Sequence, residues 1–230
     1  NTACKPNQQT GDLKVSYSNV DCDVLLAQPD TLAVIEFNQH CFDNGNPRTF
    51  SSGTPALGAG FQREVWHSDS PVETGSHNGC QWAFSDSHLI AGIHIGPAQN
   101  AGSGQDAAYE AYNNVLQCMS SLGFKHLYKI WNYLPQINLG DGDDERYKQF
   151  CSGRHEAFSQ AGYQQAMFPS ACALGNQSDA SVIYLLAGKQ PAQHFENPLQ
   201  TAAYHYPRQY GPRSPAFARA TMAPFGAASK

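Results

Sequence analysis

No apolar run in this chain of 230 residues approaches the roughly 20 residues that a membrane-spanning helix needs, so no membrane partner is expected. A basic surplus is missing too: 14 Lys and Arg against 19 Asp and Glu leave a formal charge of −5. General nucleic-acid binders rely on a broad basic face, and that class is excluded. Seven cysteines occur without a single Cys-x-x-Cys pair, which supports neither a disulfide framework nor a zinc site. Reduced thiols in a cytoplasmic protein are the simplest account, although Cys22 and Cys41 are able to pair in an oxidising compartment. The first residues, Asn-Thr-Ala-Cys-Lys-Pro, lack the basic and apolar regions of a signal peptide. Nine histidines show no His-Glu-x-x-His spacing. His88 and His94 face the same way on one expected strand, but too far apart to share a metal. Gly102-Ser103-Gly104 is only superficially like a phosphate loop. The expectation is therefore no metal.

What is present suffices for a core. With 41% hydrophobic residues the chain is not disordered by composition, and its length allows one large domain or one domain plus part of another. Residues 1–30 are polar and predict an irregular arm. Thr31–Phe37 reads as a buried strand, 43–59 as a loop, and Arg63–His67 as a short strand. Gln81–Phe84 and His88–Ile95 predict a hairpin across Ser85-Asp86-Ser87. Ser103–Ser121 carries a helical period, with Ala108, Tyr112, Val115, Leu116 and Met119 on one face. His126–Leu134 is strand-like, and Asp143–Gln160 predicts a second helix with an acidic first turn. Ala171–Leu174, Ser181–Ala187 and Thr201–His205 read as further strands. The order gives an α+β class, a mixed β-sheet backed by helices.

Residues 202–220 concentrate chemistry. Three of the seven arginines (Arg208, Arg213, Arg219) fall there, interleaved with Tyr204, Tyr206 and Tyr210 and stiffened by Pro207, Pro212 and Pro215. A planar guanidinium grips a carboxylate through two parallel hydrogen bonds, and a phenol adds a neutral donor. The segment reads as a receptor for a small, multiply carboxylated ligand, or else as a Pro-rich surface turn with solvated arginines.

Two further stretches stand out. In Lys129–Asn138, strand alternation sends Ile130, Asn132 and Leu134 one way and Lys129, Trp131 and Tyr133 the other. A core role competes with ligand contact for the aromatics, whereas a buried Asn132 must find partners. In Glu145–Arg154, Arg146 and Arg154 are eight apart and share one helical face, either solvated or ligand-facing. Cys151 has no histidine placed beside it as a base and reads as a structural thiol.

These stretches, with Tyr184–Gly188, Glu196-Asn197-Pro198 and Tyr204–Ala220, resemble the chorismatase family, which includes 3-hydroxybenzoate synthases and proteins described as pteridine-dependent deoxygenase-like. The similarity runs from about Val34 onward. It implies modules of the YjgF (reactive-intermediate deaminase, chorismate-mutase-like) fold. On that reading 1–30 is an arm, 31–200 a first module with an N-terminal extension, and 201–230 the opening of a second, incomplete module.

The resemblance implies cleavage of chorismate into pyruvate and a cyclohexadiene or hydroxybenzoate acid, without metal or organic cofactor, by a monomer or homo-oligomer. Protonation of the enol ether methylene makes an oxocarbenium-like carbon, which water or a ring hydroxyl attacks. The expected substrate-binding residues are Arg154, Tyr206, Tyr210, Arg213, Tyr133 and Arg146. The family's general-acid glutamate is expected beyond Lys230, and Lys129 stands where the family usually has arginine. A non-catalytic acid-binding protein and an aminobenzoate-forming enzyme are the competing readings.

Overall fold

The apolar runs between residues 80 and 188 form strands, and their pairing frames the molecule. The computed structural model describes residues 13–58, 60–100 and 103–224. In chain order the elements are β1 (Leu13–Ser18), α1 (Cys22–Leu26), β2 (Thr31–Glu36), β3 (Thr49–Ser51), β4 (Arg63–Ser68), β5 (Glu73–His77), β6 (Cys80–Phe84) and β7 (His88–Ile95). They continue with α2 (Pro97–Asn100), α3 (Gly104–Ser121), β8 (His126–Pro135), α4 (Arg146–Gln160), β9 (Ser170–Asn176), β10 (Ser181–Gly188), β11 (Gln193–Phe195) and β12 (Ala220–Met222). Six strands make a sheet in the order β5-β6-β7-β10-β8-β9, and four make a smaller one in the order β1-β4-β2-β3. In the large sheet only β8 and β9 run parallel, and α4 is the crossover that parallel pairing requires.

Every residue of β10 is buried, because this central strand is covered on both faces. Ile183, Leu185 and Ala187 join Leu89, Ala91, Ile93, Ile130 and Leu134 beneath α3 and α4. Val182, Tyr184 and Leu186 point the other way and meet Leu32, Phe50 and Trp66 of the small sheet. Gly92 belongs to this second layer: any Cβ there would overlap the Phe50 ring, the Tyr184 Cβ and a β10 carbonyl, at 2.6–2.7 Å. The expected stripe of α3 is buried in full, Ala108, Tyr112, Val115, Leu116 and Met119 alike. At about 1.5–3 kcal/mol per large apolar side chain buried, packing rather than propensity holds the helix. Ser103 caps it by accepting from the Asp106 amide.

Gly153 sets the distance between the two helices. A Cβ at this position would strike the Gln105 carbonyl oxygen and lie 2.8 Å from the Tyr109 amide nitrogen, both backbone atoms of α3. The helices touch there because nothing but hydrogen intervenes.

Several expectations need correction. Residues 13–30 are no irregular arm: β1 pairs along β4 from Leu13–Ser68 to Ser18–Arg63, and Cys22–Leu26 is helical over its own small core. Exposed edge strands carry polar residues, which hides them from a hydrophobicity reading. The same applies to β5, which was not anticipated, and β3 lies inside the expected loop 43–59. Residues 1–12 of the arm lie outside the described residues. The acidic residues before α4 do not form its first turn: Gly142–Asp144 is a separate 3-10 turn and the α-helix starts at Arg146. Thr201–His205 is not a strand, and Ala203–His205 forms a 3-10 turn. Cys22 and Cys41 are both free and buried.

Two outcomes follow from this packing. Gly153→Ala should lose about 1–3 kcal/mol in urea unfolding, because overpacking against backbone outweighs the roughly 1 kcal/mol that alanine adds to a helix. Stability should also fall on mild acidification. Burial holds the His88 and His94 imidazoles below their usual range, so between that lowered value and about 6.5 the unfolded chain binds protons that the folded one refuses. His94 is the stronger case: neither ring nitrogen has a hydrogen-bond partner among the described residues. Urea midpoints should be flat above about pH 7 and decline below 6.5, and His94→Phe should shallow that decline.

Candidate functional site

Residues 202–220 form a strap across the outside of α4. The Tyr204 ring meets Phe168 edge-on at 5.9 Å, and Arg208 makes a two-pronged pair with Asp143 at 2.9 and 2.5 Å. The Ser214 hydroxyl donates to the Tyr206 carbonyl at 2.8 Å, folding the strap back on itself. Gly211 sits at φ +147° with a site for Cβ only 3.3 Å from the Lys148 stem, so strap and helix are in direct contact.

The three arginines of the strap do not act as one receptor. Arg208 is committed to Asp143, whose carboxyl it holds below the usual range through their hydrogen bonds. Arg219 donates to the Tyr206 hydroxyl at 2.7 Å and to the Thr201 carbonyl at 3.4 Å, with its guanidinium against the Tyr206 and Phe217 rings. Tyr206 packs on Tyr210 at 5.5 Å, and Tyr210 is largely exposed. Arg213 remains. Among the described residues no hydrogen bond or ion pair engages its guanidinium.

Pro212 and Arg213 form one wall of an open groove of about 750 Å³. The facing walls are Gln105 and Tyr109 of α3 and Ser152, His155 and Glu156 of α4. The His155 imidazole is held below its usual range by burial first, then by Arg213 and by Arg154. A neutral ring flanked by two cations is a favourable neighbourhood for an anion, whose arrival would offset their mutual repulsion. Glu156, which accepts weakly from Gln105 at 3.5 Å, supplies the opposing charge at the far wall. His155 was not singled out in the sequence; its place immediately after Arg154 on a helix facing the strap is the signal.

The remaining predicted residues are dispersed. Arg154 is 1% exposed. Its Nη2 donates to the Cys151 sulfur at 3.7 Å and its guanidinium lies 5.1 Å from the Phe150 ring centre, with no carboxylate in ion-pair range among the described residues. Burial raises the Cys151 thiol pKa more than Arg154 lowers it, in keeping with a structural thiol. Asn132 finds its partners, accepting from the Tyr112 hydroxyl and donating to the Cys172 carbonyl, both at 2.7 Å. Tyr133 lies on the other face of the sheet, stacked on Tyr184, its hydroxyl pushed up to about 12 by burial. Arg146, half-buried, lies on the same helix face as Phe150 and Arg154 and donates to the Pro135 carbonyl at 3.1 Å. The six residues thus do not converge: strand alternation removes Tyr133 and two helical turns separate Arg146 from Arg154. Glu196 has both carboxyl oxygens shielded from solvent and without a hydrogen-bond partner among the described residues.

Residues 64–187 match the family model described as chorismatase FkbO/Hyg5-like, N-terminal. The chain belongs to this family. A chorismatase of Streptomyces hygroscopicus is 38% identical over 180 residues, 77% of this chain and 51% of the relative. A 3-hydroxybenzoate synthase of the same organism is 35% identical over 167 residues, 72% of this chain and 48% of the relative. The chain therefore spans about half the length of the curated relatives it matches. A crystal structure of a chorismatase superposes with TM-score 0.79 at 32% identity, covering 94% of this chain and 66% of that one. The mixed α+β architecture of FkbO/Hyg5-like chorismatases is thereby shown for this chain. No described helix is long and apolar enough to cross a membrane, and the described residues hold no cluster of three or more metal-ligating side chains.

The strap's anchor is testable. Asp143→Ala should leave the thermal midpoint almost unchanged, since exposed ion pairs contribute little. Trypsin should nevertheless cut after Arg208 and Arg213 several-fold faster, as seen by gel and mass spectrometry. Unaltered cleavage would show that Tyr204, Gly211 and Ser214 hold the strap alone.

Proposed function

We propose that the protein to which this chain belongs cleaves chorismate, releasing pyruvate and a cyclohexadiene or hydroxybenzoate acid. The observation that carries the reading is the family match over 64–187, together with 38% identity to a chorismatase. The reaction needs cations for two carboxylates and a carboxylic acid to protonate the enol ether methylene. Arg213 is the cation best suited to receive a carboxylate, because the other two strap arginines already have acceptors. Tyr206 and Tyr210 come earlier in the strap and do not line the groove, and the Tyr206 hydroxyl is taken up by Arg219. Arg154 acts from beneath, as a buried charge that biases His155 and the groove rather than as a direct contact. Tyr133 and Arg146 lie outside this arrangement. The proton donor belongs, by the resemblance, to the part of the relatives that this chain does not cover.

In domain terms we read 31–200 as one YjgF-like module with an N-terminal extension and 201–230 as the opening of a second. Support comes from β5–β10 with α3 and α4, a sheet backed by two helices that is complete before residue 200. Because the chain spans about half the length of its curated relatives, the activity on this reading is a property of the complete protein.

Arg213→Ala in the complete protein should weaken chorismate binding on the order of tenfold to a hundredfold by calorimetry, the loss of one charge-assisted contact. Pyruvate release, followed by a coupled reduction, should fall with it and should persist after chelation. Unchanged affinity would remove Arg213 from the site, and activity lost on chelation and restored by a divalent ion would favour metal-dependent chemistry.

A further inference from the structure

A cavity of about 250 Å³ lies beneath the helix pair, where the end of β8 meets the first turns of α3 and α4. Its walls are Ile95, Ala108, Leu134, Phe150 and Ile183, all members of the helix-side core. Of the polar groups at its edge, Gln149 and Asp144 among them, two are already satisfied. The Ser181 hydroxyl donates to Asn100 Oδ1 at 3.1 Å, while Asn100 Nδ2 donates to the Ile95 and Asp179 carbonyls at 3.2 and 3.1 Å. Arg146 differs. Nη1 donates to the Pro135 carbonyl at 3.1 Å, and among the described residues no acceptor engages Nε or Nη2 and no carboxylate pairs with the guanidinium. The apolar walls continue into Leu139, which is 53% exposed although it lines the cavity.

Ring-sized apolar walls with a single cation at one end select a flat apolar body carrying one carboxylate. We propose that this cavity is a second ligand site, binding a monocyclic aromatic monocarboxylate with its ring against Leu134, Phe150 and Ile183 and its carboxylate on Arg146. The volume falls just below the usual range of about 300–1,000 Å³ for drug-sized ligands, which restricts the guest to a single ring. A dicarboxylate fits poorly, since its second charge would meet either the apolar wall or Asp144, which also lines the cavity. The groove under Arg213 lies on the outer side of the same helices and shares no lining residue with this cavity. A hydroxybenzoate released in the groove belongs to the same ligand class, so the paired Arg146 and Arg213 variants are what tell the two sites apart.

Benzoate is the probe, and the complete protein the sample. Calorimetry should give saturable binding at millimolar or lower concentration, with the neutral isostere benzamide weaker by roughly tenfold or more. Arg146→Gln should weaken benzoate by a similar factor, and Ala107→Leu, which fills the cavity from its half-buried wall, should abolish binding, both with unchanged circular dichroism. Arg213→Ala should leave benzoate affinity as it is. Three results overturn the proposal: no saturable benzoate binding, equal affinity for benzamide, or loss of binding in Arg213→Ala with retention in Arg146→Gln. The benzoate–benzamide comparison needs no variant, so a misfolded mutant does not rescue the idea.

Discussion

A guanidinium sealed between two helices and a sheet governs how this molecule is put together. Arg154 has no carboxylate to neutralise it, and removing such a charge from water costs several kcal/mol even after relaxation. What offsets that cost is a set of soft, neutral partners: the Cys151 sulfur, the Phe150 ring and the phenol of Tyr112, which in turn is anchored through Asn132 to the β9 backbone. Such partners work only at short range, so α3 and α4 must touch. Gly153, next to Arg154, is what permits the contact. The charge, the glycine and the amide are one device, and it fixes the rotation of α4 about its axis.

That rotation decides what each side of α4 presents. Arg146, Phe150 and Arg154 follow one another at four-residue spacing on the inward face, and the first two line the cavity beneath the helices. Ser152, His155 and Glu156 face out, under the strap. The strap adds little core of its own. It is positioned in its first half by Tyr204 on Phe168 and the Asp143–Arg208 pair, and near its far end by the Ala218 amide donating to the Pro169 carbonyl, which leaves Arg213 suspended over His155. Residues from about three turns of one helix thus serve two separate surfaces, and a shift of α4 would disturb both.

The frame of the fold was legible wherever burial imposed a period. The stripe of α3, the β6–β7 hairpin and the continuous run of β10 are all strongly apolar, and each was read at nearly its observed position. Elements held by pairing rather than burial were not: β1 and β5 are polar strands whose partners lie far away in sequence or on only one side. The site was less legible than the fold for the same reason. Arg208, Arg213 and Arg219 look equivalent in the sequence, but their acceptors (Asp143, Tyr206 and the Thr201 carbonyl) are 65, 13 and 18 residues removed. Only the folded chain distinguishes the one without an acceptor.

Clustering of arginines is therefore a poor guide to which one meets a ligand, whereas the tally of acceptors is a good one. An arginine already bound by a carboxylate on both prongs has little left to give a substrate, and one stacked between two rings is held by its packing. By that criterion the strap contributes a single carboxylate contact, while the proposed substrate carries two carboxylates. The second cation must come from elsewhere. Arg146 has free donors but lies across the helix pair, and Arg154 is enclosed. On the chorismate reading, the groove beneath Arg213 is half of a receptor, and the other half, like the proton donor, belongs to the portion of the relatives that lies outside the match.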